Sequence, residues 1–266
     1  MFRISILGIP NDENSSFQRG CAEAPPKIRH ELWSAANNMW TETGVDLGVE
    51  GRLNDHGDIR FDGGRDSWEL IETRVDEVLS DPGAAIFLGG DHAITHPVLR
   101  AVRRYHPKLT ILHIDAHPDI YYDFEGNPRS HASPFARIME EHLADRLVSC
   151  GIRTATGHQR DQIAKHGVDV IEARHWHDDT QVDFTTPVYI SLDIDGIDPA
   201  FAPGVSHREA GGLSSRQVIN LIQTIRQPIV GADIVEFNPH CDLSNMTAVL
   251  AAKLLKEIAG MMVQTS

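Results

Sequence analysis

The 266-residue chain is long enough to bury a substantial core and short enough for one α/β domain. With 41% apolar and 23% charged residues it has the make-up of a soluble globular protein, and its formal net charge of −14 excludes a nucleic-acid partner, which would need clustered Lys and Arg. Three well-separated cysteines, Cys21, Cys150 and Cys241, support neither a disulfide framework nor a zinc ribbon, so a reduced cytoplasmic compartment is expected.

The N-terminal stretch MFRISILGIPND is too briefly apolar for a signal peptide, and no run approaches the roughly 18 apolar residues of a bilayer span. No membrane partner is expected. Residues 2–9 read as a strand. A helix follows through APPKIRHELWSAANN, opened by Pro25 and Pro26, with Ile28, Leu32 and Trp33 on one face. Residues 41–64 look like a loop containing the short run GRLNDHGDI. Asp66 suits the N-cap of a helix to about Ser80, which turns Leu70, Ile71, Val75, Val78 and Leu79 inward.

From there the alternation is regular. Strands are expected at 84–88, 109–115, 146–152, 167–171, 187–193 and 228–237. Helices are expected at 93–105, 131–143, 214–226 and 246–262, the last with Leu250, Leu254, Ile258 and Met261 on one face. Strands apolar on both faces and separated by helices predict a parallel sheet covered on both sides, in one domain over 1–266 with no linker or repeat.

Three of these strands end in chemistry. Asp91 and His92 follow AAIFLGG; Asp115, His117 and Asp119 follow LTILHI; Asp193 and Asp195 end and follow VYISL. Ligands in open parallel sheets bind beyond the carboxyl ends of the strands, and all three clusters sit there. If the chain stays extended after Asp115, its three alternate side chains point one way. A short D-x-H-x-D also occurs in ordinary loops, and His92 alone can be structural. Asp193 and Asp195 side by side require a cation or an arginine. Asp91 reads as orienting His92 or its backbone, and Asp198 as a turn residue or structural ion pair. Two imidazoles and four carboxylates together suit two ions such as Mn²⁺, Zn²⁺, Fe²⁺ or Co²⁺, with the carboxylate-rich set favouring manganese. The chain thus reads as a metal-dependent enzyme, most simply a hydrolase.

At these same residues the chain resembles the ureohydrolases, the family of arginases and agmatinases. LGGDH (88–92), DAHPD (115–119) and SLDIDGIDPAFAPG (191–204) look like that family's metal motifs, supported by NSSFQRG (14–20), SHASPFARIMEE (130–141), GGLSSRQV (211–218) and DIVEFNP (233–239). FAPGVSHREAGGLS and VEFNPHCDLSNMTAVLAAKLLKEI look most like plant-type arginases, though no mitochondrial extension like theirs is expected. The resemblance implies a three-layer α/β/α fold with a mainly eight-stranded parallel sheet, two Mn²⁺ per subunit and a homo-oligomer, trimer or hexamer. It implies His92 and Asp119 on one ion, His117 and Asp195 on the other, and Asp115 and Asp193 between them. Glu236 matches the family's guanidinium-binding glutamate, and His131 its histidine near the site mouth. Departures are Ala93 after the metal histidine, where many members have Ser, and Ser206-His207-Arg208 where animal arginases carry Gly-Thr-Pro.

The implied reaction is hydrolysis of a guanidino compound to urea, L-arginine to L-ornithine first, agmatine to putrescine as the nearest rival, with other guanidino or formimidoyl substrates further off. Asp119 would pass a proton to the leaving amine and His131, with an ordinary imidazole pKa, would exchange protons with solvent. Asn127, Arg129, Ser133 and Arg208 are candidates for the far end of the substrate. Each has a blander alternative: Glu236 can form a structural ion pair, His131 can cap the helix expected to begin there, His207 can face substrate or solvent, and Tyr121 and Tyr122 can wall the pocket or pack on the surface. A mononuclear zinc deacetylase would leave His92 and the second carboxylate pair without a purpose. An inactive binding protein would not need the full ligand set.

Overall fold

A computed structural model describes residues 1–266. In chain order the elements are β1 (Ile4–Gly8), α1 (Ala24–Leu32), β2 (Leu53–Asp58), α2 (Ser67–Leu79), β3 (Ala84–Leu88), α3 (Thr95–Tyr105), β4 (Thr110–Ile114), α4 (Pro134–Glu140), β5 (Arg146–Ile152), α5 (Gly157–His166), β6 (Asp169–Glu172), β7 (Val188–Asp193), α6 (Ser215–Thr224), β8 (Ile229–Val235) and α7 (Met246–Gln264). The eight strands form one wholly parallel sheet in the order β2-β1-β3-β8-β7-β4-β5-β6.

Five of the strands, β1, β3, β4, β7 and β8, are buried along their whole length, so both sheet faces carry core. On one face α1, α6 and α7 enclose Ile28, Ile190, Ile222, Leu254 and Ile258. On the other, α2, α3 and α4 enclose Ile71, Phe87, Val98 and Phe135. This is the expected three-layer α/β/α arrangement. Side chains that alternate across each strand feed both layers, which explains why the sequence shows unbroken apolar runs instead of alternation. No helix is long and apolar enough to cross a membrane.

Several local expectations hold. Asp66 caps α2, accepting from the Trp68 and Glu69 amides. Others are corrected. The run 53–58 is not loop but the edge strand β2. Its polar side chains are half-exposed, and Arg29 of α1 ties it down through Asp55 (2.8 Å) and Asp58. Helix α5 was not expected, because GHQRDQIAKH has almost no apolar stripe. It is held by a capping box between Thr156 and Gln159 and ends on Gly167 at φ +63°. Trp33 is 50% exposed and takes no part in the α1 core face. The helix expected over 131–143 begins only at Pro134, since residues 130–133 turn to bring His131 N–H onto the Asn14 carbonyl (3.3 Å). His131 therefore does not cap it.

The strand order decides where chemistry can occur. β3, β8, β7 and β4 are consecutive neighbours, and their registers pair Leu88 with Ile234, Asp193 with Val235, and Ile114 with Leu192. The residues just beyond these ends, from Asp91, Glu236, Asp193 and Asp115 onward, consequently meet along one rim of the sheet.

Candidate active site

His92 lies fully buried in a short 3-10 turn opened by Asp91, whose carboxylate accepts from the Ala93 amide (3.1 Å) and, on the other side, from the Asn14 amide (2.9 Å). Asp91 thus orients the His92 backbone and pins the loop at 11–16 to it. Burial first, then the charge of Glu236, pushes the Asp91 carboxyl up to about 7. His92 Nε2 meets Ser191 Oγ (3.0 Å), which donates to Asp233 (2.8 Å). That outer chain fixes the ring and leaves Nδ1 to face inward.

Around Nδ1 stand three carboxylate oxygens: Asp119 at 3.0 Å, Asp115 at 3.2 Å and Asp193 at 3.2 Å. None is aligned to accept a hydrogen bond from Nδ1, so this buried nitrogen has no partner of its own. A second group forms alongside, with His117 Nδ1 3.1 Å from Asp195 and 3.4 Å from the other oxygen of Asp115. Asp115 belongs to both sets, His92-Asp115-Asp119-Asp193 and Asp115-His117-Asp195. Ligands on a sphere of roughly 2.1 Å radius sit about 3 Å apart when adjacent, which is the spacing found here.

The chain does not run extended from 115 to 119. Asp119 adopts φ +44°, and it is this left-handed turn that brings its carboxylate back toward His92 while His117 leans to Asp195. Burial and the like charges of Asp195 and Asp115 push Asp193 well above the usual carboxylate range. Burial lifts Asp195 to about 6, His117 offsetting part and Asp115 adding to it. His113, two residues before Asp115, holds it through Nε2 (2.8 Å) and was not anticipated, although H-x-D in a buried strand places both side chains on one face. Phe135 packs against the His92 and His113 rings and keeps that side dry. Asp198 accepts the amides of Ala200, Gly211 and Gly212, a structural turn as expected.

Glu236 follows β8 at φ +61°. Its Oε1 accepts from the His92 amide (3.0 Å) and from His131 Nδ1 (2.8 Å), and its Oε2 faces the Cys21 thiol at 3.5 Å. His131 Nε2 meets Ser16 Oγ (2.8 Å). Burial acts against both charges, yet their pairing prevails, holding Glu236 at about 2 and raising His131 to about 9. His131 is therefore not an imidazole of ordinary pKa. His207 is half-buried beside it, ring centroids 5.2 Å apart.

A cavity of about 180 Å³ opens over these groups, floored by Asp119, Asp193, Asp195 and Glu236 and walled by His117, His131, His207, Tyr121, Phe124, Thr154, Thr156 and Gln159. That is smaller than the roughly 300 Å³ lower limit of drug-sized pockets and matches a small linear ligand. Four residues considered for the far end of a substrate do not line it. Asn127 bonds Asn14, and the buried Ser133 hydroxyl lacks any partner. Arg129 pairs with Asp66 (2.6 Å) above Trp68, and Arg208 donates to the carbonyls of Pro203 and Cys241. Tyr122 lies outside beneath Arg137. Ser16, Thr154, Thr156 and Gln159 were missed; only the T-x-x-Q capping box hinted at the last two.

Against known proteins, the Arginase family model matches residues 2–260. Arginase 1, mitochondrial, of Arabidopsis thaliana is 45% identical over 96% of this chain and 80% of its own length. The solved arginase of Medicago truncatula superposes with a TM-score of 0.93 at 42% identity, covering 98% of this chain and 87% of that one. A guanidinobutyrase of Pseudomonas aeruginosa is 34% identical over 96% of the chain and 84% of its length. With sheet order, rim geometry and nearly the whole sequence in agreement, the chain belongs to the arginase family of ureohydrolase enzymes.

Proposed function

We propose that this enzyme hydrolyses L-arginine to L-ornithine and urea with two Mn²⁺ ions per subunit. The observation that carries the reading is a buried carboxylate, Glu236, at the floor of a narrow cavity beside two carboxylate–imidazole groups that share Asp115. The donor set fits a metal pair: the partnerless His92 Nδ1 among three carboxylates calls for a cation, and four carboxylates balance two divalent ions. His92, Asp115, Asp119 and Asp193 would hold one ion, and His117, Asp195 and Asp115 the other. Bound there, such a pair supplies a water activated near neutral pH and charge to stabilise the tetrahedral adduct.

The chain's own residues do the rest. Glu236 accepts guanidinium N–H groups and orients the carbon for attack; a planar cation and a carboxylate match in this way. An arriving guanidinium competes with His131 for Oε1. That competition loosens the proton on His131 beside the departing amine, with Ser16 steadying the far side of the ring. Asp119, at the cavity floor, moves the proton from the water to that amine. The hydroxyls and amide of Thr154, Thr156 and Gln159 would meet the amino-acid end, in place of Asn127, Ser133, Arg129 and Arg208. The greater identity to a protein named arginase than to one named guanidinobutyrase, 45% against 34%, supports arginine over its rivals. Three unpaired cysteines support a cytoplasmic location, and sedimentation of the purified chain tests the trimer or hexamer.

The test is urea release from arginine, agmatine and guanidinobutyrate at equal concentration with added Mn²⁺. Arginine is expected to dominate; a larger rate with agmatine would overturn the substrate while sparing the reaction class. The cluster also sets a pH dependence. In the metal-free site Asp195 keeps its proton up to about 6, above the ordinary carboxylate value, and a cation must displace it. Mn²⁺ affinity should therefore weaken as pH falls from 7 to 5, by about tenfold per unit for each proton displaced, with the raised Asp193 adding to the effect of Asp195. Isothermal titration at pH 5, 6 and 7 measures this, and a flat profile would remove proton competition from the site.

A further inference from the structure

One more group of side chains meets the requirements of a cation while sharing no member with the sets around Asp115. The donor atoms of His131, His207 and Glu236 lie within 4.8 Å of one another. His131 Nδ1 and Glu236 Oε1 are 2.8 Å apart, close to the roughly 3 Å between adjacent ligands of one ion. An ion can take the place of the proton they share. Both residues are held in place by further hydrogen bonds, His131 through its other ring nitrogen by Ser16 Oγ (2.8 Å) and Glu236 at Oε1 by the His92 amide (3.0 Å). The backbone that carries His207 is fixed by its neighbour: Ser206 donates to the Gln18 carbonyl (2.7 Å) and accepts from Asn238 (2.9 Å). The His207 ring consequently projects from a held loop into the cavity wall.

Charge points the same way. Four aspartates suffice for two divalent ions, and Glu236, outside that set, is balanced by the proton it shares with His131, which an entering cation would replace. Two imidazoles and one carboxylate, with an open position toward the cavity, form a set that zinc accepts readily and manganese less so.

We infer that His131, His207 and Glu236 make a third divalent-cation site, selective for zinc, at the position where the guanidinium would bind. The mutual exclusion rests on the role given above to Glu236; the binding itself does not. Zinc would act as a competitive inhibitor that leaves the catalytic pair in place.

The experiment is equilibrium dialysis of the Mn²⁺-loaded enzyme against Zn²⁺ in excess Mn²⁺, with both metals counted, alongside urea-release kinetics. Two manganese and one zinc per chain are expected, with zinc raising KM for arginine and leaving kcat unchanged. His207→Ala, and His207→Asn as a second variant of different bulk, should keep two manganese and weaken zinc binding by at least the roughly 10–100-fold that loss of an outer-shell partner costs. Zinc that displaces manganese ion for ion, no zinc bound, or zinc bound equally by both variants would overturn the site. A zinc ion lost in the variants but without effect on KM would overturn the exclusion, and with it the guanidinium role of Glu236. A manganese count other than two would instead strike at the binuclear reading.

Discussion

Glu236→Gln is expected to lower kcat/KM for arginine by about 10³-fold, roughly 4 kcal/mol of transition-state stabilisation, with two metal ions still bound. The amide keeps the size of the side chain and an oxygen for the His92 amide, so the fold around the rim has no reason to move. What it removes is the negative charge that a guanidinium needs, and it places an NH₂ group where a second N–H donor must approach. The same change strips His131 of its counter-ion. Burial is the largest influence on that imidazole and acts downward, so its pKa should drop from about 9, with the charges of Asp119 and Asp91 still supporting the protonated form. A histidine NMR titration reads this directly. Turnover within tenfold of the parent would end the guanidinium assignment; loss of metal would mean that Glu236 serves the cluster instead.

The parts of this site legible in the sequence are those in which ligand and scaffold are contiguous. His92, Asp115 and Asp193 directly follow buried apolar runs, and a parallel sheet gathers strand ends on one rim whatever the loops do. Glu236 follows the same logic on β8. The parts that were not legible depend on loops whose course no local pattern records. Asn127, Arg129 and Ser133 seemed useful because they lie near His131 in sequence. Instead the chain makes a tight bridge between Phe124 and Asn127, and Arg129 is captured by Asp66, a residue 63 positions away. Conversely Ser16, in the NSSFQRG stretch, and Cys21, both far in sequence from the metal motifs, reach His131 and Glu236 respectively, on a loop that Asp91 holds against the rim. The edge strand β2 and helix α5 escaped notice for a simpler reason. Both are half-exposed and polar, so neither carries the apolar period from which an element is read.

The second large effect is expected from Asp119→Asn, and the backbone makes it a clean substitution. Asp119 sits at φ +44°, a conformation that asparagine tolerates as well as aspartate and that most residues do not. Its carbonyl, which accepts from the Phe135 amide (3.1 Å) and starts α4, is untouched. Only the charged oxygen 3.0 Å from His92 Nδ1 is lost. His92, Asp115 and Asp193 then offer three ligands to one ion, while Asp115, His117 and Asp195 keep all of theirs. Elemental analysis should find about one manganese per chain in place of two, and turnover should fall by about 10³-fold or more, since the variant loses both an ion and the group that carries the proton to the amine. Normal turnover with one ion missing would rule out a two-ion reaction. Two ions retained with slow turnover would separate the roles, leaving Asp119 as a proton carrier and giving the His92 ion to Asp115 and Asp193 alone.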